Sequence, residues 1–343
     1  MNNPFAPLPE LLLPWYRENR RDLPWRSDPQ PYHVWLSEIM LQQTRVEAVK
    51  GYYLRFLQAL PTVKALAEAP EEQCRKLWEG LGYYTRVRNL QKAAREIVSR
   101  SGGEFPQTYE EIRRLPGVGD YTAGAVASIC FGLPTPAVDG NVLRVTGRLL
   151  ADPTPVTDGS LRRRRAEQLA EIYPRDHAGE FTQALMELGA TVCLPNGAPR
   201  CEVCPLRQNC RGAALRRPED FPGKPPKKPR RQEDLTVFLF RCGGRTAVRR
   251  RQESGLLAGL WEYPNVPGHL DLTEAIAQAE AWGVHPKAPR SVREKTHIFT
   301  HVQWNMRCFE MECSAMPEPF RWATDEERKR DLALPTAFRI LTE

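Results

Sequence analysis

Leu115-Pro116-Gly117-Val118-Gly119-Asp120-Tyr121 decides the fold of the first 220 residues. Just upstream, Thr108 and Glu111 are spaced as a capping box. It starts a short helix that stops at Pro116, because the residue before a proline is driven out of helical geometry. Gly117-Val118-Gly119 turns the chain, and a second helix follows from Tyr121 to Ser128. The amides of the glycine turn and of that helix's first turn can bind a phosphate with no side chain in the way. The pattern reads as a helix-hairpin-helix over about 109–128, with Gly117, Val118 and Gly119 contacting DNA. For this segment alone, an ordinary turn between two helices is the alternative.

Two carboxylates flank the hairpin in sequence. Asp139, in Val138-Asp139-Gly140-Asn141-Val142, opens a helix whose dipole is expected to keep it ionised, although an Asp in that place is most often a simple N-cap. Glu38 is the single carboxylate of His33-Val34-Trp35-Leu36-Ser37-Glu38-Ile39-Met40-Leu41. If its face is buried, its pKa rises toward the range a general acid needs; the alternative is an exposed Glu beside Ser37.

The bulk properties agree with two globular units. The 343 residues are 41% hydrophobic and 27% charged, enough for two cores. A formal charge of +7 is a modest basic excess that favours a polyanionic partner without requiring one. No apolar run is long enough to span a bilayer, and Met1–Glu10 lacks a signal-peptide pattern. The chain is therefore expected to have no membrane partner and to be intracellular, cytoplasmic and nucleoid-associated if bacterial. The run Arg162–Arg165 fits either a phosphate contact or, more commonly, a solvated helix face.

Four of the nine cysteines, Cys193, Cys201, Cys204 and Cys210, crowd into one short segment, which suits metal ligation better than disulfides. Four thiolates suit zinc or an iron–sulfur cluster. Zinc usually takes two tight Cys-x2-Cys hooks and only one is present here; on these residues alone a cluster, zinc and unliganded thiols all stay open.

Residues 1–220 carry helical periodicity. Residues 221–232, rich in proline and basic side chains, read as a stiff linker. From 233 to 343 the pattern is α+β. Leu235–Phe240 is a strand, Cys242-Gly243-Gly244-Arg245 a hairpin turn, and His297–Glu312 further strand. Leu272–Trp282 is a helix, and Thr324 with Glu327 forms another capping box.

The hairpin and Asp139 together resemble the endonuclease III superfamily of helix-hairpin-helix DNA glycosylases. In its bifunctional members a lysine follows the hairpin and forms a Schiff base with the sugar; Tyr121 stands there here, and a phenol forms no iminium. Leu23-Pro24-Trp25-Arg26, Trp35-Leu36-Ser37-Glu38, Met40-Leu41-Gln42-Gln43-Thr44 and Gly80-Leu81-Gly82-Tyr83-Tyr84-Thr85-Arg86 are similar to the MutY adenine DNA glycosylases, and this likeness covers nearly the whole chain.

The resemblance implies a multidomain protein: an all-α helix-hairpin-helix glycosylase domain with an iron–sulfur loop at 193–210, then an α+β Nudix-like domain. It implies Glu38 as the acid on adenine N7, Asp139 as stabiliser of the cationic sugar, and Asn141 and Tyr121 beside them. Arg26 and Gln183 would line the adenine pocket, and Gln43, Thr44 and Tyr83 would contact DNA. Phe299-Thr300-His301, with Thr for the family's Ser, would read 8-oxoguanine. One [4Fe–4S] cluster is implied on the four cysteines, although Leu194–Arg200 places seven residues where the family usually has six. The partner would be duplex DNA with an adenine mispair, bound by a monomer.

Overall fold

The structure is a computed structural model, and it describes residues 3–223 and 229–342. The chain divides into two compact units, one of Met1–Glu68 with Asn89–Pro226 and one of Ala69–Arg88 with Lys227–Glu343. Part of the basic linker expected at 221–232 lies outside the described residues, and its last two residues already belong to a strand that begins at Arg231. Among the described residues no helix is long and apolar enough to cross a membrane.

The first unit is helical. Leu8–Asn19, Gly140–Leu150 and Ala178–Thr191 share a core of Leu12, Leu143, Val145, Phe181, Leu185 and Leu188. Burying such side chains stabilises by roughly 1.5–3 kcal/mol each before entropy is counted. Cys193, Cys204 and Cys210 pack partly buried against this same core.

The hairpin forms as the sequence expects, with helices at Tyr109–Arg114 and Asp120–Phe131. Gly117 has φ +76, and a Cβ there would lie 2.7 Å from the Asn89 Cβ, so both backbone and space demand glycine. The capping box at Thr108 is only half made. Its hydroxyl accepts from the Glu111 amide at 3.3 Å, but the Glu111 carboxylate takes that hydroxyl's own proton at 2.8 Å.

In the second unit the sheet order is β3 (Trp261–Glu262), β2 (Arg245–Arg250), β1 (Arg231–Cys242), β6 (Val302–Cys313) and β5 (Pro286–Ile298). β4 (Asn265–Pro267) pairs with β1, and β7 (Arg321–Ala323) with β2. β1 and β6 are parallel, from Arg231 opposite Val302 to Arg241 opposite Glu312. Alternation along β1 sends Val237 and Leu239 to a core with Trp304, Met306 and Phe338, and Phe238 and Phe240 to one with Ala275, Ala279 and Phe309. The His297–Glu312 stretch is not one strand. It breaks at Phe299–His301, where the Phe299 amide closes a turn on the Val302 carbonyl at 2.8 Å.

Ala69–Arg88 belongs to this unit through polar contacts. Arg75 donates to the Gly259 carbonyl at 3.2 Å, the Trp261 indole donates to Glu72 at 2.7 Å, and Glu79 accepts the Leu334 amide at 2.8 Å.

Candidate active site

A cavity of roughly 500 Å³ in the helical unit gathers Glu38, Tyr121, Asp139, Asn141, Arg26, Gln183, Gln43 and Thr44. These residues run from Arg26 to Gln183 in the sequence, so only the fold unites them. Glu38 lies on the helix Pro31–Leu41, whose residues from Tyr32 to Met40 are almost all buried. Tyr121 occupies the first turn of the hairpin's second helix and donates its hydroxyl to Glu38 Oε2. Burial pushes the Glu38 carboxyl up to about 7; the Tyr121 hydroxyl pulls it down, and the nearby Asp139 charge pushes it further up. Burial also raises Tyr121 well above its ordinary value, so it remains a phenol that donates.

Asp139 caps the helix Gly140–Leu150. Its Oδ1 accepts the Val142 amide at 2.7 Å and its Oδ2 accepts the Asn141 amide group at 2.6 Å. The sequence argument gave the helix dipole control of this carboxylate. Burial instead outweighs the two donors and Arg144, and the net direction of its pKa is upward. Asn141 is itself held at Oδ1 by Arg144 at 2.8 Å, and Arg144 also donates to the carbonyls of Gly189 at 2.7 Å and Cys193 at 2.8 Å. Gly189 must be glycine for this contact, since a Cβ would fall 2.5 Å from the Asn141 Cβ.

Sequence reasoning missed Arg144 and a second network that lines the same cavity. Glu187, with no exposed side-chain surface, accepts Arg21 Nε at 2.6 Å, the Arg21 amide at 3.0 Å and Arg26 at 2.7 Å. Despite burial, these donors hold its pKa down at about 2. Nothing local marks Glu187 or Arg21, which are 166 positions apart. Arg26 is thus fixed by a carboxylate, while Gln183 donates to the Gly179 carbonyl of its own helix at 3.2 Å. Gln43 follows the Glu38 helix with φ 59, a left-handed position unfavourable to a side chain and a frequent companion of functional constraint.

The other predicted residues lie elsewhere. Gly117, Val118 and Gly119 are in the hairpin turn. Val118 has its side chain buried; its amide donates to Leu115 at 3.1 Å, and its carbonyl accepts from Arg113 at 3.1 Å. These contacts pack and hold the turn. Gly119 has open space where a Cβ would go, and Arg113 neutralises Asp120 in the first turn.

In the second unit, Tyr83, with φ 47, shares a separate cavity of roughly 510 Å³ with Phe299, Thr300 and His301. Its hydroxyl is hydrogen-bonded to that of Thr300. The Phe299 ring stands edge-on to Trp304 at 4.9 Å. Of the two carboxylates on the helix Leu272–Ala281, Glu274 completes a capping box with Asp271, and Glu280 pairs with His285 at 2.7 Å.

Cys193, Cys201, Cys204 and Cys210 line one small cavity with Arg148, which donates to Cys193 Sγ at 3.3 Å. Burial pushes the Cys204 thiol up to about 12, and the negative charge of Cys193, Cys210 and Cys201 adds to it, so the four are mutual neighbours. Among the described residues no three such side chains converge closely enough for one ion to touch them all. Four sulfurs around one shared cavity fit the donor set of an iron–sulfur cluster.

Residues 36–175 match the HhH-GPD superfamily of base excision DNA repair proteins, and residues 236–343 match the NUDIX domain family. The chain is 37% identical to the adenine DNA glycosylase of Mus musculus, over 92% of this chain and 73% of that one. It is 36% identical to that of Homo sapiens, over 92% and 70%. Among solved structures, a thermostable thymine-DNA glycosylase superposes with a TM-score of 0.54 at 28% identity, covering 60% of this chain and 94% of that one. A non-covalent endonuclease III–DNA complex does so with a TM-score of 0.52 at 26% identity, over 61% and 94%. The chain belongs to the adenine DNA glycosylase family of helix-hairpin-helix base-excision repair proteins.

Proposed function

We propose that the chain excises adenine mispaired with 8-oxoguanine or guanine from duplex DNA, leaving an abasic site without cutting the strand. The observation that carries this is the Glu38–Tyr121–Asp139 set in one cavity, a carboxyl raised to about 7 beside a second that caps a helix and accepts two hydrogen bonds. The adenine is extruded from the stack, at a cost of a few kcal/mol that a mispair reduces. Glu38 protonates N7, the base departs, Asp139 stabilises the oxocarbenium-like sugar, and the Glu38 carboxylate takes the proton of the water that adds to it. Arg26 and Gln183 line the base pocket, and Gln43, Thr44 and Tyr83 meet the duplex. The amides of Gly119 and of the first turn of Asp120–Phe131 bind a phosphate, with Gly117 shaping the turn.

Phe299, Thr300 and His301 read the 8-oxoguanine opposite. Cys193, Cys201, Cys204 and Cys210 hold one [4Fe–4S] cluster whose iron–thiolate bonds staple the 193–210 loop; hydrolysis of a glycosidic bond needs no electron from it. The chain acts as a monomer.

The test is a panel of duplexes with adenine opposite 8-oxoguanine, guanine or thymine, scored for alkali-labile sites and for borohydride-trapped adducts. Alkali-labile sites opposite the first two, without a trapped adduct, are the expected result. An efficient trapped adduct, or excision indifferent to the opposite base, would refute the proposal.

Two variants probe the supporting residues. Tyr121→Phe removes the donor that pulls the Glu38 pKa down, so the high-pH limb of the single-turnover rate is expected to move to higher pH than in the wild type. Arg144→Met releases Asn141 and strands two carbonyls, each worth roughly 1–3 kcal/mol if left unsatisfied. A rate loss of about tenfold with a lower melting temperature is expected; an unchanged rate would remove Arg144 from the account.

A further inference from the structure

The catalytic cavity is lined by three arginines, and two of them are spoken for. Arg21 and Arg26 both bind Glu187, at 2.6 and 2.7 Å. The third, Arg162, has no carboxylate partner among the described residues. It lies on the helix Gly159–Ala170, is exposed, and donates to the carbonyl of Val138, the residue before Asp139. Its neighbours in the basic run behave differently. Arg163 points to solvent with its side chain 79% exposed, while Arg164 and Arg165 pair with Asp152 at 3.6 and 2.5 Å.

An unpaired cation beside Asp139 poses a physical problem. The reaction builds positive charge on the sugar, and a fixed guanidinium nearby would oppose it unless an anion arrives with the substrate. The extruded nucleotide brings such anions, its own phosphodiesters. A guanidinium has five N–H donors in a planar fork suited to phosphate oxygens. One is engaged by the Val138 carbonyl, which also orients the side chain beforehand, so less rotamer freedom is lost on binding.

We propose that Arg162 grips a phosphodiester flanking the extruded adenosine, clamping the nucleotide backbone at the mouth of the cavity. Arg162 acts on binding and placement, while Glu38 and Asp139 carry the chemistry. This rests on the adenine-excision reading above.

The experiment uses the full chain and a duplex in which the target is 2′-fluoro-2′-deoxyadenosine opposite 8-oxoguanine, so that binding is read without cleavage. In parallel series, the phosphate 5′ or 3′ of the target is replaced by a neutral methylphosphonate. Arg162→Ala is expected to weaken binding about tenfold. It should also flatten the slope of log affinity against log salt by about 0.9, the signature of one lost phosphate contact. Arg162→Lys should keep most of that slope, and Arg163→Ala should match the wild type. One of the two methylphosphonates should weaken the wild type about tenfold and Arg162→Ala no further, identifying the phosphate.

An unchanged salt slope in Arg162→Ala, or equal methylphosphonate penalties in both proteins, would overturn the proposal. A lowered melting temperature with an intact slope would likewise overturn it, assigning Arg162 to holding Val138. Excision of ordinary adenine by the wild type is scored separately, so failure of the functional reading is distinguishable from failure of the clamp.

Discussion

Glu38→Gln is expected to slow single-turnover adenine excision about a thousandfold near pH 6, the middle of the range for losing a general acid. The substitution is close to isosteric, and the Tyr121 hydroxyl can still donate to the amide oxygen, so the cavity should survive. What disappears is the proton. The wild-type rate should fall about tenfold per pH unit above 7, as the Glu38 carboxyl, raised to about 7 by burial, ionises; the residual rate of the variant should lack that fall.

Stability should respond in the opposite sense. A carboxyl raised above its unfolded value favours folding fully below about pH 4.5 and loses that contribution as pH climbs through 7. Glu38→Gln carries no such charge, so its melting temperature should exceed the wild type's at pH 8 and approach it at pH 5. Calorimetry at the two pH values reads this directly.

Asp139→Asn should cost between about a hundredfold and a thousandfold, as expected when one preorganised electrostatic group is lost. Asparagine is a good N-cap, so the Val142 amide keeps its acceptor. Asn141, however, donates to the other oxygen, and an amide NH2 placed there would set donor against donor at a cost of about 1 kcal/mol. A further consequence separates this variant from a merely loosened one. The Asp139 charge raises the Glu38 pKa, so its removal should shift the high-pH limb of the residual rate to lower pH. A residual rate equal to the wild type's would exclude Asp139 from cation stabilisation.

The fold was legible where local chemistry is explicit. Pro116 and Gly117 punctuate the hairpin, Gly243 and Gly244 adopt the positive φ their turn requires, and Asp139 and Thr324 cap helices. The break at Phe299–His301 was legible only through the resemblance, which makes these three residues a loop; apolar residues on both sides continue the strand pattern through the turn.

In the site, Glu38, Tyr121 and Asp139 could be read only through their surrounding motifs; the residues themselves look ordinary. Their meeting in one cavity depends on long-range packing that no periodicity encodes. Arg21, Arg144 and Glu187 escaped for the same reason, since each draws its role from partners that the fold alone supplies. The Arg162–Arg165 run shows the opposite limit: four like residues look uniform in sequence, yet the helix sends one to the cavity, one to solvent and two to Asp152.

The most direct test of the account is the pH dependence of single-turnover excision from a duplex with adenine opposite 8-oxoguanine, for the wild type and Glu38→Gln side by side. The account predicts a wild-type rate that falls tenfold per unit above about pH 7 and a Glu38→Gln rate about a thousandfold lower without that fall. A wild-type rate flat from pH 6 to 9, or a variant as fast as the wild type, would contradict it.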